Sequence, residues 1–203
     1  MKKALTIGEL LITMGIIGVI AMLTLPGFIQ DYHKRVYTTK LKKSVEMIEN
    51  AVNQACVDNN VSYFYQTPYV NTKDSGKHQQ EFIDKYFKKA GGNNKNPFAT
   101  KYKDLASGKD KKIGLASEHG WAKLAGGEAL SLYCPDKSDY CVLRVDINST
   151  DGPNIGGRDF FAIYLNKKTN EIYDKDASSI CGKSQYGEGC FGKLLENNWE
   201  MNY

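Results

Sequence analysis

Residues 4–30 read ALTIGELLITMGIIGVIAMLTLPGFIQ, and Glu9 is the one charged side chain in these 27 positions. Lys2 and Lys3 stand before the stretch, and Pro26 interrupts it near its far end. About 20 helical residues at 1.5 Å each span a hydrocarbon layer, and the run from Leu10 to Ile29 has that length. A carboxylate inside such a segment is costly unless it has a partner, so Glu9 marks a functional group. A cleavable secretory signal has a shorter apolar core followed by a small-x-small site, and no Ala-x-Ala motif follows here. A plain signal anchor accounts for the length and leaves Glu9 unexplained.

The order Lys2-Lys3-Ala4-Leu5-Thr6-Ile7-Gly8-Glu9 resembles the class III signal of type IV pilins and type II secretion pseudopilins. In that family a prepilin peptidase cuts after a small residue and the new N-terminal residue is methylated. Cleavage after Ala4 makes Leu5 the first mature residue, Glu9 the fifth, Gly18 the fourteenth and Pro26 the twenty-second. These offsets match the family's acidic fifth residue, helix-weakening glycine and proline. The chain departs from the pattern at Ala4, Leu5 and Gly8, where Gly, Phe and a larger apolar residue are usual. The resemblance implies a leader at 1–4, a transmembrane and assembly helix at 5–30, and a globular domain at 31–203. It further implies a single pass through a bacterial inner membrane with the domain periplasmic or extracellular. The implied partners are prepilin peptidase and other pilin or pseudopilin subunits, and the product is a filament. In that scheme Glu9 pairs with an N-terminal amine, its own or a neighbour's, while Gly18 and Pro26 bend the helix.

Beyond Pro26, apolar residues recur at Ile29, Val36, Leu41, Val45, Ile48, Val52 and Cys56. This spacing is a helical stripe facing a globular domain. A continuous helix from Leu5 to Cys56 has 52 residues and a length of ~80 Å. Its first half is apolar all round and its second half amphipathic. Pro26 removes a backbone donor and crowds the preceding turn, which predicts a kink.

Residues 57–77 read as an irregular connection, and a second helix is expected from about Gln79 to Ala90, stopped by Gly91-Gly92. The Lys- and Gly-rich stretch 93–120 reads as a surface excursion. From Glu128 the period changes, and 128–134, 140–147 and 159–166 are short runs rich in Leu, Val, Ile, Tyr and Phe. They predict a three-stranded antiparallel meander. The expected fold is α+β, a long kinked N-terminal helix packed on a small antiparallel sheet with disulfide-closed C-terminal loops. It is also the architecture that the pilin resemblance implies.

Six residues lie between Cys134 and Cys141 and eight between Cys181 and Cys190. Neither spacing matches a zinc site and no histidine is near, so two local disulfides, Cys134–Cys141 and Cys181–Cys190, are the simplest account. They imply an oxidising compartment. Cys56 falls on the inner face of the long helix, as a buried free thiol.

Oxygen-bearing side chains crowd the segment 146–159, where Asp146, Asn148, Asp151 and Asp159 invite a hard cation such as calcium. The segment misses the EF-hand pattern, since Gly152 falls at loop position 7 and no Glu closes the loop. Side chains bonding their own backbone in a turn explain the same composition. Some pseudopilins use calcium in a comparable loop, and the later Cys181, Cys190 and Trp199 extend the resemblance to most of the chain. Otherwise no cofactor is called for.

The three histidines, His33, His78 and His119, sit in no motif with a nucleophile, and no phosphate loop, HExxH or Gly-x-Ser-x-Gly occurs. His119 and Trp121 read as a loop pair. The sequence does not point to an enzyme. The formal charge of +4 falls to +2 without Lys2 and Lys3, too little for a nucleic-acid footprint. Lysines cluster between Lys85 and Lys112, as a solvated face or, in a DNA-uptake pseudopilin, a phosphate-contacting patch. A single-pass anchored binding module with no assembly role is the other class the sequence leaves open.

Overall fold

The computed structural model describes residues 6–70, 76–91, 96–115 and 120–203. The chain divides into two compact units, one ending at Val36 and the other running from Tyr37 to Tyr203. Helix α1 extends from Ile7 to Asp58 and remains helical through Pro26. It outlasts the apolar stripe by two residues, and its buried positions in the second unit are Thr38, Leu41, Ser44, Val45, Ile48, Ala51, Val52, Ala55 and Cys56. They recur every three or four residues, as one helical face requires. Ile29, read from sequence as part of that stripe, is exposed.

Two short 3₁₀ turns, Phe64–Gln66 and Pro68–Val70, follow. Helix α2 runs from Lys77 to Tyr86, earlier than the expected 79–90. The residues after it are claimed by a different partner. Phe87 is extended, Lys89 forms a bridge with Leu124, and Ala90 N–H donates to the Lys123 carbonyl at 2.9 Å.

The strands are β1 (Lys101–Asp104), β2 (Asp110–Lys112), β3 (Gly120–Lys123), β4 (Ala129–Tyr133), β5 (Tyr140–Asp146), β6 (Ile155–Gly156), β7 (Phe160–Asn166) and β8 (Ile172–Tyr173). They form one sheet in the order β2-β1-β6-β7-β5-β4-β3, with β8 also pairing β7. The expected meander is present as the antiparallel trio β4, β5 and β7, registered from Tyr140↔Asn166 to Asp146↔Phe160 and from Ala129↔Asp146 to Tyr133↔Val142. Two expectations need correction. The sheet is larger and mixed, because β6 pairs in parallel with both β1 and β7. The stretch 93–120 also contributes strands: Tyr102 of β1 is fully buried while Lys101 and Lys103 face outward.

One face of the sheet meets the helices. Leu130, Leu132, Leu143, Val145, Phe161, Ile163 and Leu165 pack with Leu41, Ile48, Val52, Phe64, Phe82 and Ile83 in the main core. Helix α3 (Cys190–Glu196) adds Phe191 and Leu194. On the opposite face a smaller core of Phe98, Tyr102, Ala129 and Phe160 is covered by residues of the 96–115 stretch. The ring centroids of Tyr102 and Phe160 are 4.2 Å apart.

Both disulfides form as expected, Cys134–Cys141 and Cys181–Cys190. Gly157, at φ +83°, lies against the second, and a Cβ there would collide with the Cys190 sulfur. Cys56 is free and buried, and burial pushes its thiol pKa up.

Candidate functional site

The first candidate is the beginning of α1. Thr6 precedes the helix, and its N–H and hydroxyl both donate to Glu9 Oε2 at 2.9 Å. Glu9 N–H in return approaches Thr6 Oγ1 at 3.3 Å. This is a reciprocal capping box, Thr-x-x-Glu, which satisfies donors that the first helical turn leaves unpaired. The motif was legible in the sequence and was missed there. Glu9 therefore has a local partner and stands in the first turn, where the helix dipole favours an anion. Ala4 and Leu5, flanking the expected cleavage, lie outside the described residues, as does His119.

The rest of this segment makes little use of its own side chains. Fourteen large apolar residues from Ile7 to Ile29 are exposed, Ile7 and Met22 to 80%. The helix is long and apolar enough to cross a membrane. The hydroxyls of Thr13 and Thr24 bond back to the Leu10 and Ile20 carbonyls at 2.9 Å, leaving few polar groups unspent. A Cβ built on Gly8, Gly15, Gly18 or Gly27 meets no atom within 4 Å. Glycine costs a helix interior about 1 kcal/mol against alanine, and no contact among the described residues of this chain requires it there.

The second candidate is the oxygen-rich loop between β5 and β7. The structure brings Asp146, Asn148 and Asp159 together, with both carboxylates fully buried. Asp146 accepts the Tyr102 hydroxyl and the Asn148 N–H at 3.2 Å. Asp159 accepts the N–H groups of Ile155 at 2.7 Å and Asn154 at 2.8 Å. Burial pushes the Asp146 pKa up to about 8, against the Tyr102 hydrogen bond and with help from the charge of Asp159. Burial likewise raises Asp159.

Asp151 does not join them: its side chain is exposed. Asn154, which the sequence reading passed over, adjoins the group through its backbone N–H, which donates to Asp159. The side-chain oxygens of Asn148 and Asn154 are both buried and accept no hydrogen bond. The Asn148 amide nitrogen is spent on the Gly152 carbonyl at 2.6 Å. Among the described residues no three His, Cys, Asp or Glu side chains gather to hold a metal.

The lysines of 85–112 are partly paired: Lys85 with Asp58 at 2.9 Å, Lys89 with Asp84 at 2.8 Å and Lys111 with Asp104 at 3.1 Å. Trp121 belongs to β3, where its N–H donates to Gln80 Oε1 at 3.0 Å. Trp121 is thus a strand residue where the sequence suggested a loop. Comparison with protein-family models, with characterised proteins and with solved structures returns no match.

Proposed function

We propose that this chain is a structural subunit of a type IV pilus or type II secretion pseudopilus. In this reading it is inserted in a bacterial inner membrane, trimmed after Ala4 by a prepilin peptidase, and assembled with other pilin-type subunits through α1. The observation that carries the reading is the first part of α1: an exposed apolar surface with one carboxylate, and glycines that nothing in the described chain needs. Small residues let neighbouring helices approach closely in lipid or in a helical bundle. An α+β domain with two disulfides agrees with export to an oxidising compartment.

The capping box gives Glu9 an intramolecular resting state. Assembly then exchanges Thr6 for an amine, which compensates the carboxylate's charge and not only its lone pairs. Mass spectrometry of the chain expressed with and without a prepilin peptidase tests the pathway. A mature product starting at methylated Leu5 is the expected result, and an intact Met1 in both cultures refutes it. Glu9→Ala is expected to insert in the membrane and fold normally yet stay out of filaments, and its normal incorporation would leave an anchored binding module as the better reading.

The same proposal assigns calcium to the β5–β7 loop. Two buried carboxylates, and two amide carbonyls that accept no hydrogen bond, match the oxygen preference of a hard cation. Asp146, Asn148, Asn154 and Asp159 are the residues that would hold it. Thermal unfolding followed during calcium titration, with magnesium as control, should show a stabilisation that Asn154→Ala abolishes. An unchanged midpoint at millimolar calcium refutes the site.

A further inference from the structure

Strands β3, β4, β5 and β7 place Trp121, Ser131, Arg144 and Ala162 directly opposite one another in a single row across the sheet. Their sequence neighbours Ala122, Leu130, Leu132, Leu143, Val145, Phe161 and Ile163 belong to the main core, so the row lies on the other face. Two polar atoms in it are stranded. Ser131 is fully buried and its hydroxyl has no hydrogen-bond partner, and the buried Nε of Arg144 has none either. Orphaned buried groups of this kind cost about 1–3 kcal/mol each, more when charged, and call for an explanation.

Arg144 is unusual in a further respect. Its guanidinium sits 4.8 Å from the centroid of the Tyr186 ring, and burial works against its charge. Glu188 acts on it at long range while its own carboxylate accepts the Ser184 hydroxyl at 2.9 Å. A half-buried arginine normally spends its planar fork on a carboxylate or phosphate. Here the guanidinium lies over an aromatic ring, with Ser131 opposite Arg144 in the register and Trp121 one place further along the row. Trp121 and Tyr186 are half-buried and pack against the smaller core.

We propose that Arg144 and Ser131 are the floor of a binding site for a ring-bearing carboxylic acid of the uronic-acid type, with Tyr186 and Trp121 as its walls. The guanidinium and hydroxyl supply donors for a carboxylate, and the two aromatic surfaces suit the apolar faces of a sugar ring. Both orphaned atoms are closed to solvent, so admission requires the Tyr186 ring to turn off the guanidinium. Tyr186 is carried on the loop closed by Cys181–Cys190, which tethers its backbone while the side chain moves.

The test uses the full-length chain in detergent micelles, reading the Trp121 indole N–H resonance after assignment with Trp199→Phe. Galacturonate should shift it saturably, and galactose, lacking the carboxylate, should not. Arg144→Lys should weaken binding about tenfold by losing the planar fork. Ser131→Ala should weaken it several-fold while leaving the thermal midpoint equal or higher, because an unpaired hydroxyl is removed. That last pairing separates a ligand role from a structural one and does not depend on the arginine variant folding. Absence of a galacturonate shift overturns the proposal, as does an equal response to galactose. Tighter binding of N-acetylaspartate would overturn the sugar assignment in favour of an acidic peptide. A strongly destabilised Ser131→Ala with unchanged binding would remove Ser131 from the site.

Discussion

Asn170 offers the sharpest test of how the globular unit holds the end of α1. It lies between β7 and β8 at φ +63°. Its side-chain oxygen accepts the N–H of buried Phe64 at 2.8 Å, and its amide donates to the Ser62 carbonyl at 3.0 Å. The same amide nitrogen is 3.7 Å from the Cys56 sulfur. One side chain thus ties the final turn of α1 and the following loop to a turn more than a hundred residues away in sequence. Asn170→Ala strands the Phe64 N–H, at about 1–3 kcal/mol, and places a Cβ without local hydrogen bonding in a left-handed conformation, at about 1 kcal/mol more. The expected loss is about 2–4 kcal/mol. Guanidinium unfolding of the full-length chain in micelles, followed by tryptophan fluorescence, measures it, since Trp121 and Trp199 both lie in the globular unit. Asn170→Asp keeps the acceptor for Phe64 and should lose less than the alanine variant, while Asn170→Gly should relieve the backbone part only. A loss below about 0.5 kcal/mol for alanine, the range of an ordinary surface change, or equal losses for alanine and aspartate, would refute this account.

Other expectations follow from single contacts. Gly157→Ala should lower stability by more than about 1 kcal/mol, from positive φ alone, and should leave Cys181 and Cys190 partly unpaired, which thiol alkylation and mass spectrometry would count. Cys181→Ser should cost about 2.5–3 kcal/mol in oxidising buffer and almost nothing under reduction; equal loss in both would argue against a stabilising bridge. Phe161→Ala, emptying a site at the centre of the main core, should cost about 3–5 kcal/mol by thermal or chemical unfolding. Asp104 is held at about 2 by the Ser107 hydroxyl and N–H and then by Lys111. A carboxylate with a lowered folded pKa stabilises above its unfolded value near 4 and loses that contribution as pH falls towards 2. Asp104→Asn should therefore flatten the acid limb of a stability–pH curve in that window; an unaltered limb would refute it.

The features legible in the sequence are those written in long, clean periods. The stripe Leu41-Val45-Ile48-Val52-Cys56 repeats every three or four residues and gave the end of α1 to within two residues. The short runs rich in aliphatic and aromatic residues gave the central pairing of β5 and β7. Strand β1 was invisible because Lys-Tyr-Lys-Asp has one apolar residue, and its burial depends on Phe160, which arrives from far along the chain. Helix α2 ended early because β3 competes for the backbone of Lys88–Ala90, a tertiary effect that no local stop signal encodes. In the oxygen-rich loop the carboxylates and Asn148 were conspicuous and Asn154 was not. Asn154 and Arg144 matter through what they lack as partners, which only the packed structure reveals.

The two borders of the sheet are closed in different ways. Strand β2, Asp110-Lys111-Lys112, is exposed throughout and charged at every position, so a strand from another molecule would have to strip water from three ions to add there. Strand β3 is capped instead: Gln80 takes the Trp121 N–H, and Ala90 and Lys88 occupy the backbone groups of Lys123 and Ala125. Crowded side by side, such domains meet charge at one of these two borders and already occupied backbone groups at the other.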